Sequence, residues 1–299
     1  MWNATLPADA LIDHRSPALV AELLRQLQVN FADHFYPTIN TTSYSAPVYT
    51  VPARQHRVRV RIVGSRAAWG RRLQAQLDRG VPIPHGAQPA NGADGHIVVW
   101  QPATDTMWEL WRASQQRGQW VASWGGRLDG ASRSPGYFHD SSGIEPGATA
   151  TSLPLAGGLI TFGDLLRGRI GHALAMAIPH SRGGAWALPA QRTDGNVRSV
   201  DAIPAGAHFR LDPSLDIDAL GLPPFTAMLA HAAQRYGIVV RDTSPVVTLY
   251  AQAPRPGQAN PWPAAITPST TEVLRRFPWS RLQVVRMQLR GYSGKHIAD

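Results

Sequence analysis

The sequence predicts a mostly β protein, an antiparallel β-sandwich or jelly-roll-like domain with two or three peripheral helices. Short runs alternate apolar and polar residues, and Gly (27) and Pro (25) are scattered along the 299 residues without a repeat. A period of two is typical of strands that bury one face, and scattered Gly and Pro are typical of the loops between them. We expect one domain, with residues 1–35 as an N-terminal helical arm and residues 36–299 as a sandwich with a C-terminal helix.

The N-terminal region contains the first clear helix, over residues 16–30. Ser16 is placed to cap it, Pro17 fits its first turn, and leucines recur at helical spacing. An extended stretch follows, in which RVRVRI (residues 57–62) alternates arginine with aliphatic residues and predicts a strand with one basic face. Residues 67–79 predict a short helix.

Residues 96–128 predict an antiparallel meander, and five of the ten tryptophans fall between Trp100 and Trp124. Two turn-rich spacers, PATD and QQRG, separate three alternating runs. Because alternate side chains of a strand point to opposite faces, Glu109 and Trp111 share one face and Trp108 lies on the other.

A hairpin that pairs Gln101 with Thr106 would set His96 opposite Trp111, on the face that carries Glu109. Aromatic rings stack on the C–H surfaces of sugars, and carboxylates bind hydroxyl groups or transfer protons. We therefore interpret this face as an open, concave site for an extended glycan. The alternative is a core strand whose glutamate points to solvent.

The remaining elements follow in chain order. A Gly/Ser/Pro-rich connection over residues 129–152 is long enough to be functional or mobile. Residues 171–179 predict a strand of alternating large and small residues, and further strands are expected near Trp186 and at residues 206–211. The segment LPPFTAMLAHAAQRYG predicts a second helix, ended by Gly237.

Several strings resemble a family of secreted β-rich proteins from high-GC bacteria. They are DGHIVVWQPATDTMWELWRA, GATATSLPLAGGLI, GRIGHALAMAIP, PAQRTDG, GAHFRLDPSLDIDALGLPP and AAQRYGIVVRDT. The resemblance spans roughly residues 35–285. It implies a β-rich extracellular domain, and because that family has no assigned activity, it carries no catalytic residue over to this chain.

Composition limits the classes of function. Of 29 basic residues only Lys295 is a lysine, and the arginines are dispersed, so nucleic acid is not an expected partner. The expected partner is a polysaccharide or oligosaccharide, and a basic surface that attracts an anionic polymer such as a polyuronate stays open. The absence of Cys excludes disulfides and thiol chemistry. No apolar run has the length of a membrane span. A polar N-terminus without a signal peptide resembles the start of a mature secreted protein, so we expect secretion.

Glu109 is the strongest catalytic candidate, as the general acid or nucleophile of a glycoside hydrolase. Such an enzyme needs a second carboxylate, and Asp194 is preferred to Asp129 and Asp164 because it follows the polar pair that ends in Arg192. Replacing Glu109 with Gln is expected to abolish activity with little loss of stability.

His172 is the third catalytic candidate, although a histidine at the start of an apolar strand is more often a core residue. With His96 and Glu109 it would complete a two-His, one-carboxylate set, but no close-spaced motif supports a metal, and no cofactor is predicted. The predicted substrate-binding residues are His96, Trp111, Arg112, Tyr137 and Arg192.

Two alternatives to the hydrolase stay open. One is a polysaccharide lyase on an anionic uronate polymer, with arginines to neutralise the carboxylate and a His or Tyr base. The other is a non-catalytic glycan-binding or cell-surface module. The sugar, the linkage and the oligomeric state are not predicted.

Overall fold

The computed structural model describes residues 1–34, 36–64, 67–139 and 146–291. The chain forms two compact units. Unit 1 comprises Met1–Ile39, Gly157–Tyr250 and Asn260–Asp299, and unit 2 comprises Asn40–Ala156 and Ala251–Ala259. About equal shares are helix (24%) and strand (25%), in several mixed sheets, so a β-rich fold with few helices is confirmed at that coarse level. The single domain stays a prediction.

The described residues form fifteen strands and six α-helices. The strands are β1 (Thr38–Asn40), β2 (Val48–Thr50), β3 (Val60–Ile62), β4 (Ile97–Gln101), β5 (Thr106–Trp111), β6 (Ser114–Gln116), β7 (Gln119–Ala122), β8 (Trp124–Asp129), β9 (Leu174–Ile178), β10 (Ala185–Ala187), β11 (His208–Leu211), β12 (Ile238–Thr243), β13 (Thr248–Tyr250), β14 (Leu282–Val284) and β15 (Leu289–Gly291). The helices are α1 (Ser16–Ala32), α2 (Ala67–Leu77), α3 (Phe162–Arg167), α4 (Pro224–Arg235), α5 (Trp262–Ala265) and α6 (Thr270–Arg275). None of the described helices is both long and apolar enough to cross a membrane.

Unit 1 is built on a six-stranded sheet with the order β1-β13-β9-β12-β11-β14. Its central pair, β9 and β12, is parallel. Strand β11 pairs antiparallel with β12 and β14, and β13 pairs antiparallel with β9. All five residues of β9 are buried, which explains its continuous apolar sequence LAMAI. Helix α1 packs against β14, and α4 packs against β11.

Helix α1 begins at Ser16, as the sequence predicts, but Ser16 does not cap it. Instead, the Val284 N–H donates to the Ser16 hydroxyl at 2.8 Å. The Asp13 N–H donates to the Val284 carbonyl at 2.9 Å. These two bonds fasten the start of α1 to the edge of the sheet, so the serine is used for tertiary attachment and is not available to the helix end.

Unit 2 contains two sheets, of order β2-β4-β5-β8 and β3-β7-β6. The predicted hairpin register is confirmed, with Gln101 opposite Thr106 and Val98 opposite Glu109. The predicted continuous meander is wrong, because the β6–β7 hairpin leaves to pair with β3 while β8 returns beside β5. The purely antiparallel arrangement is also wrong. Strands β2 and β4 run parallel, and the chain between them makes the crossover that parallel pairing requires, through β3 and α2.

The main core of unit 2 lies on the Trp108 side of β5. Trp108 is 1% exposed and packs in one cluster with Leu73 and Leu77 of α2 and with Trp120 of β7. This confirms the face predicted for Trp108 from the two-residue period of the strand.

We predict that Trp108→Ala lowers the free energy of unfolding by about 3–5 kcal/mol, because it empties a fully buried indole site. Trp69→Ala is the matched control, since Trp69 is 43% exposed and its loss is expected to cost under about 1 kcal/mol. Urea unfolding of both variants measures the difference. Equal losses would contradict the assignment of faces.

Candidate functional site

The face that carries Glu109 is closed. Glu109 and Val98 have no exposed surface, and Phe138, Ala148 and Leu155 pack over the same side of the sheet. The prediction of an open concave face is therefore wrong. The long connection after β8 folds back over the strands and converts this face into a second core.

The Glu109 carboxylate fastens that covering segment to the sheet. Its Oε1 accepts the Ala148 N–H at 2.9 Å, and its Oε2 accepts the Leu155 N–H at 2.7 Å. Buried backbone N–H groups must find acceptors, and neither of these two belongs to a strand. The carboxylate supplies the acceptors that a neighbouring strand would otherwise provide, which gives Glu109 a structural role.

Glycine makes room for this closure. Gly126 lies opposite Glu109 in the β5–β8 pair. A Cβ on Gly126 would lie 2.7 Å from the Gly147 nitrogen and 2.8 Å from the Phe138 ring. The adjacent Gly125 carbonyl accepts the Gly147 N–H at 2.9 Å. Glycine inside a strand marks a close approach of backbone, so the Gly-Gly pair of β8 is the sequence signal for a covered face.

Trp111 is half-buried at the end of the same face, and its open side is occupied. The Arg112 guanidinium carbon lies 4.3 Å from the centre of the indole. The indole N–H donates to Asp94 Oδ1 at 3.0 Å. His96 is buried, with 5% exposure, and Tyr137 is half-buried. Of the predicted substrate-binding residues in unit 2, only Arg112 is exposed.

His172 lies in unit 1, in a buried polar cluster with Asp164. Its Nε2 is 3.1 Å from Asp164 Oδ2, and its Nδ1 is 2.8 Å from the Ala173 carbonyl. Asp164 also closes the capping box of α3 with Thr161 and binds Arg167 at 2.7 Å. Burial alone would raise the pKa of Asp164, but hydrogen bonds from His172 and Thr161 outweigh it and hold this pKa below its ordinary value.

The other predicted carboxylates are surface residues. Asp194 is exposed in unit 1 and accepts a hydrogen bond from the Thr243 hydroxyl at 2.8 Å. Arg192, in the same unit, is half-buried. Asp129 ends β8 and pairs with Arg127 at 2.8 Å. Within the described part of the chain, no group of three or more His, Asp or Glu side chains is placed to hold a metal, so the suggested metal set is not formed there.

An exposed basic surface of unit 2 is the feature that the sequence only hinted at. We call it the basic face. It combines β3 with the residue before it, Arg59, and α2 with Arg79, which lies two residues after that helix. All of its members are exposed, and they are Arg59, Arg61, Trp69, Arg71 and Arg79. Across the ranges that the structure describes, none of these four arginines forms an ion pair.

Gln74 holds the two elements of the basic face together. Its Oε1 accepts the Ile62 N–H at 2.8 Å, and its Nε2 donates to the Val60 carbonyl at 2.9 Å. The side-chain amide thus pairs with β3 as a further strand would. Because Val60 is buried in the core, the next side chain of β3, Arg61, points the other way, and the strand that carries it is held in place by Gln74.

Charge is concentrated in unit 2. Its two segments contain 13 arginines and seven acidic residues, a net charge of +6, while the rest of the chain contributes the other +3 of the total of +9. An excess of this kind raises the local concentration of anionic partners. In the sequence, the alternating RVRV run was the signal for exposed arginines. Its contact with α2 could not be predicted, because that contact is made by the side chain of Gln74, which is distant in sequence from the run.

Comparison with known proteins gives no match to a family model, to a curated protein or to a solved structure. The resemblance to secreted proteins of high-GC bacteria therefore stays a prediction. Function has to be argued from the geometry.

We predict that Glu109→Gln destabilises the protein by about 1–3 kcal/mol, the cost of leaving a buried N–H without its acceptor. The new amide group turns a donor towards one of the two backbone N–H groups. Asp129→Asn is the control, because that carboxylate is 62% exposed and its loss should change stability by under about 1 kcal/mol. Unchanged melting of the Glu109 variant would refute the structural role.

Asp164→Asn should cost about 1–3 kcal/mol at pH 7, because it replaces a buried carboxylate that accepts hydrogen bonds from Thr161 and Arg167. The folded-state pKa of Asp164 is depressed, so its contribution is present above the unfolded value of about 4 and is lost as pH falls below it. The gap in unfolding free energy between wild type and variant should therefore narrow from pH 5 to pH 3. Urea midpoints across this range measure it, and a constant gap would contradict the pKa direction.

Proposed function

We propose that the protein is a secreted, non-catalytic module that binds an anionic polysaccharide of the polyuronate class through the basic face of unit 2. One observation carries this proposal. Four exposed arginines without carboxylate partners lie in or next to β3 and α2, and α2 also exposes the indole of Trp69.

The chemistry of the basic face fits a chain of carboxylates. A guanidinium group binds a carboxylate with two parallel hydrogen bonds, and it stays charged at all working pH values. Arg61 lies in β3 and Arg59 is the residue just before that strand, so two exposed positive charges lie close together along the chain and suit a linear polyanion. Trp69 adds an aromatic surface that suits the C–H side of a sugar ring.

The geometry disfavours hydrolysis by Glu109. Both carboxylate oxygens already accept backbone N–H groups, and the residue has no exposed surface, so a glycosidic oxygen has no route to it. The lyase alternative needs a base, and His172 has both ring nitrogens engaged in unit 1. Binding without bond cleavage uses only groups that are exposed.

A sandwich-like arrangement is part of the proposal for unit 2. Its support is the shared core, in which Trp108 of β5 and Trp120 of β7 come from different sheets and belong to one cluster. Arg61 of the basic face then lies on the outer side of the smaller sheet, opposite the buried Val60.

The Arg59→Gln, Arg61→Gln double variant tests the proposal. We expect wild type to bind polygalacturonate and alginate, and the double variant to bind both at least about tenfold more weakly at 50 mM salt, with a shallower salt dependence. Affinity electrophoresis or calorimetry measures this. The charge-matched control is Arg133→Gln, Arg255→Gln, two exposed arginines of unit 2 outside the basic face, and it should bind almost as wild type does.

Three results would overturn the proposal. They are equal binding of a neutral β-glucan, stronger binding of a DNA oligonucleotide than of the polyuronates, and equal losses in the two double variants. Mass spectrometry of the polymer after incubation adds a further arm. Products heavier by one water would indicate hydrolysis, and unsaturated products would indicate elimination.

A further inference from the structure

A cavity of about 530 Å³ opens on unit 1 beside α4. One wall is the turn after α3, and the other is the outer side of α4 with the residue that ends it. Its main lining side chains are Arg169, Ile170, Met228, His231, Arg235 and Tyr236. The volume falls in the range of small-molecule sites, which is about 300–1,000 Å³.

The charged groups that line the cavity are cationic. Arg169 and Arg235 form no ion pair with any residue in the described ranges, and His231 contacts the exposed Asp218 at 3.0 Å. The carbonyls at the end of α4 would repel an anion, but they are already occupied. The Leu6 N–H donates to the Arg235 carbonyl at 2.8 Å, and His208 Nε2 lies 2.9 Å from the Tyr236 carbonyl.

The other part of the lining is apolar. Ile170 is buried at 5% exposure, and Met228 is half-buried on α4. The Arg235 guanidinium carbon lies 5.6 Å from the centre of the Tyr236 ring. Two cationic groups therefore stand next to a thioether, a branched alkyl group and an aromatic ring.

The walls are fixed by hydrogen bonds. The Arg169 N–H donates to the Asp164 carbonyl at 3.2 Å, and Asp164 is itself held by His172 and by the capping box of α3. On the opposite side, the Gln234 amide donates to the Asp212 and Leu215 carbonyls at 3.0 and 2.8 Å. A site whose backbone is already ordered loses little entropy when a ligand binds.

We propose that this cavity binds a small organic acid, with its carboxylate between Arg169 and Arg235 and its apolar body against Ile170 and Met228. Guanidinium groups pair with carboxylates in a two-pronged geometry, and a neighbouring apolar surface favours an alkyl or aryl body over a free inorganic anion. This site lies in unit 1 and is independent of the basic face of unit 2.

Calorimetry of the full chain with sodium octanoate and with octanamide tests the site. Octanoate should bind with a dissociation constant below 1 mM, which corresponds to a binding free energy of ~4 kcal/mol. It should bind at least about tenfold more tightly than the amide, which lacks the charge. Arg169→Gln and Met228→Glu should each weaken octanoate at least about tenfold. Met228→Glu changes a half-buried residue and places a negative charge in the cavity, which would repel the carboxylate of octanoate. It therefore tests the site without changing an arginine. Arg286→Gln, an exposed arginine of unit 1 outside the cavity, is the control and should bind as wild type does.

The proposal is overturned by any of three results. The first is that octanoate and octanamide bind equally, or that neither binds at 10 mM, a dissociation constant that would correspond to a binding free energy of ~3 kcal/mol. The second is that the Arg169 and Met228 variants keep wild-type affinity while melting as wild type does. The third is that octyl phosphate binds and octanoate does not, which would assign the site to phosphate esters.

Discussion

The two hydrogen bonds accepted by Glu109 are the constraint on which the arrangement of unit 2 depends. A four-stranded sheet with apolar residues on both faces needs two covers, and the chain supplies one from α2 and the other from the segment around residues 146–156. That segment forms no strand, so its buried N–H groups need acceptors from elsewhere. A carboxylate at the centre of β5 provides two of them, and the glycines of β8 provide the space.

Because the Glu109 face is closed, the basic face is the surface of unit 2 that remains open to a ligand. A sheet face with a carboxylate and indoles resembles a sugar-binding site when only the sequence is known. Once Phe138 and Leu155 cover it, the face is core, and the basic face becomes the exposed feature of unit 2 that suits a ligand. Strand β3, which carries Arg61, is held in place by Gln74, whose amide extends the sheet edge. The same side chain prevents that edge from pairing with another strand.

Much of the local structure was predictable because it depends on periods of two and 3.6 residues. The hairpin register, the face of Trp108 and helices α1 and α4 follow from those periods. The predictions that are wrong, a Ser16 cap and an open Glu109 face, depend on contacts between distant segments. Ser16 binds Val284, and Glu109 binds Ala148 and Leu155. A polar residue in an apolar run fits a site or a buried tether equally well, and only the tertiary fold decides between them. The Gly-Gly pair of β8 was the one local signal for the tether.

Hydrogen exchange of the Ala148 and Leu155 amides in the native protein tests this account most directly. If both are bound to the buried Glu109 carboxylate, they should exchange as slowly as the amides of β5, because releasing them requires the cover to leave the sheet. Exchange at the rate of exposed loop amides, with β5 still protected, would mean that the cover opens freely. The Glu109 face would then be accessible to ligand, and a binding or catalytic role for that carboxylate would replace the structural one.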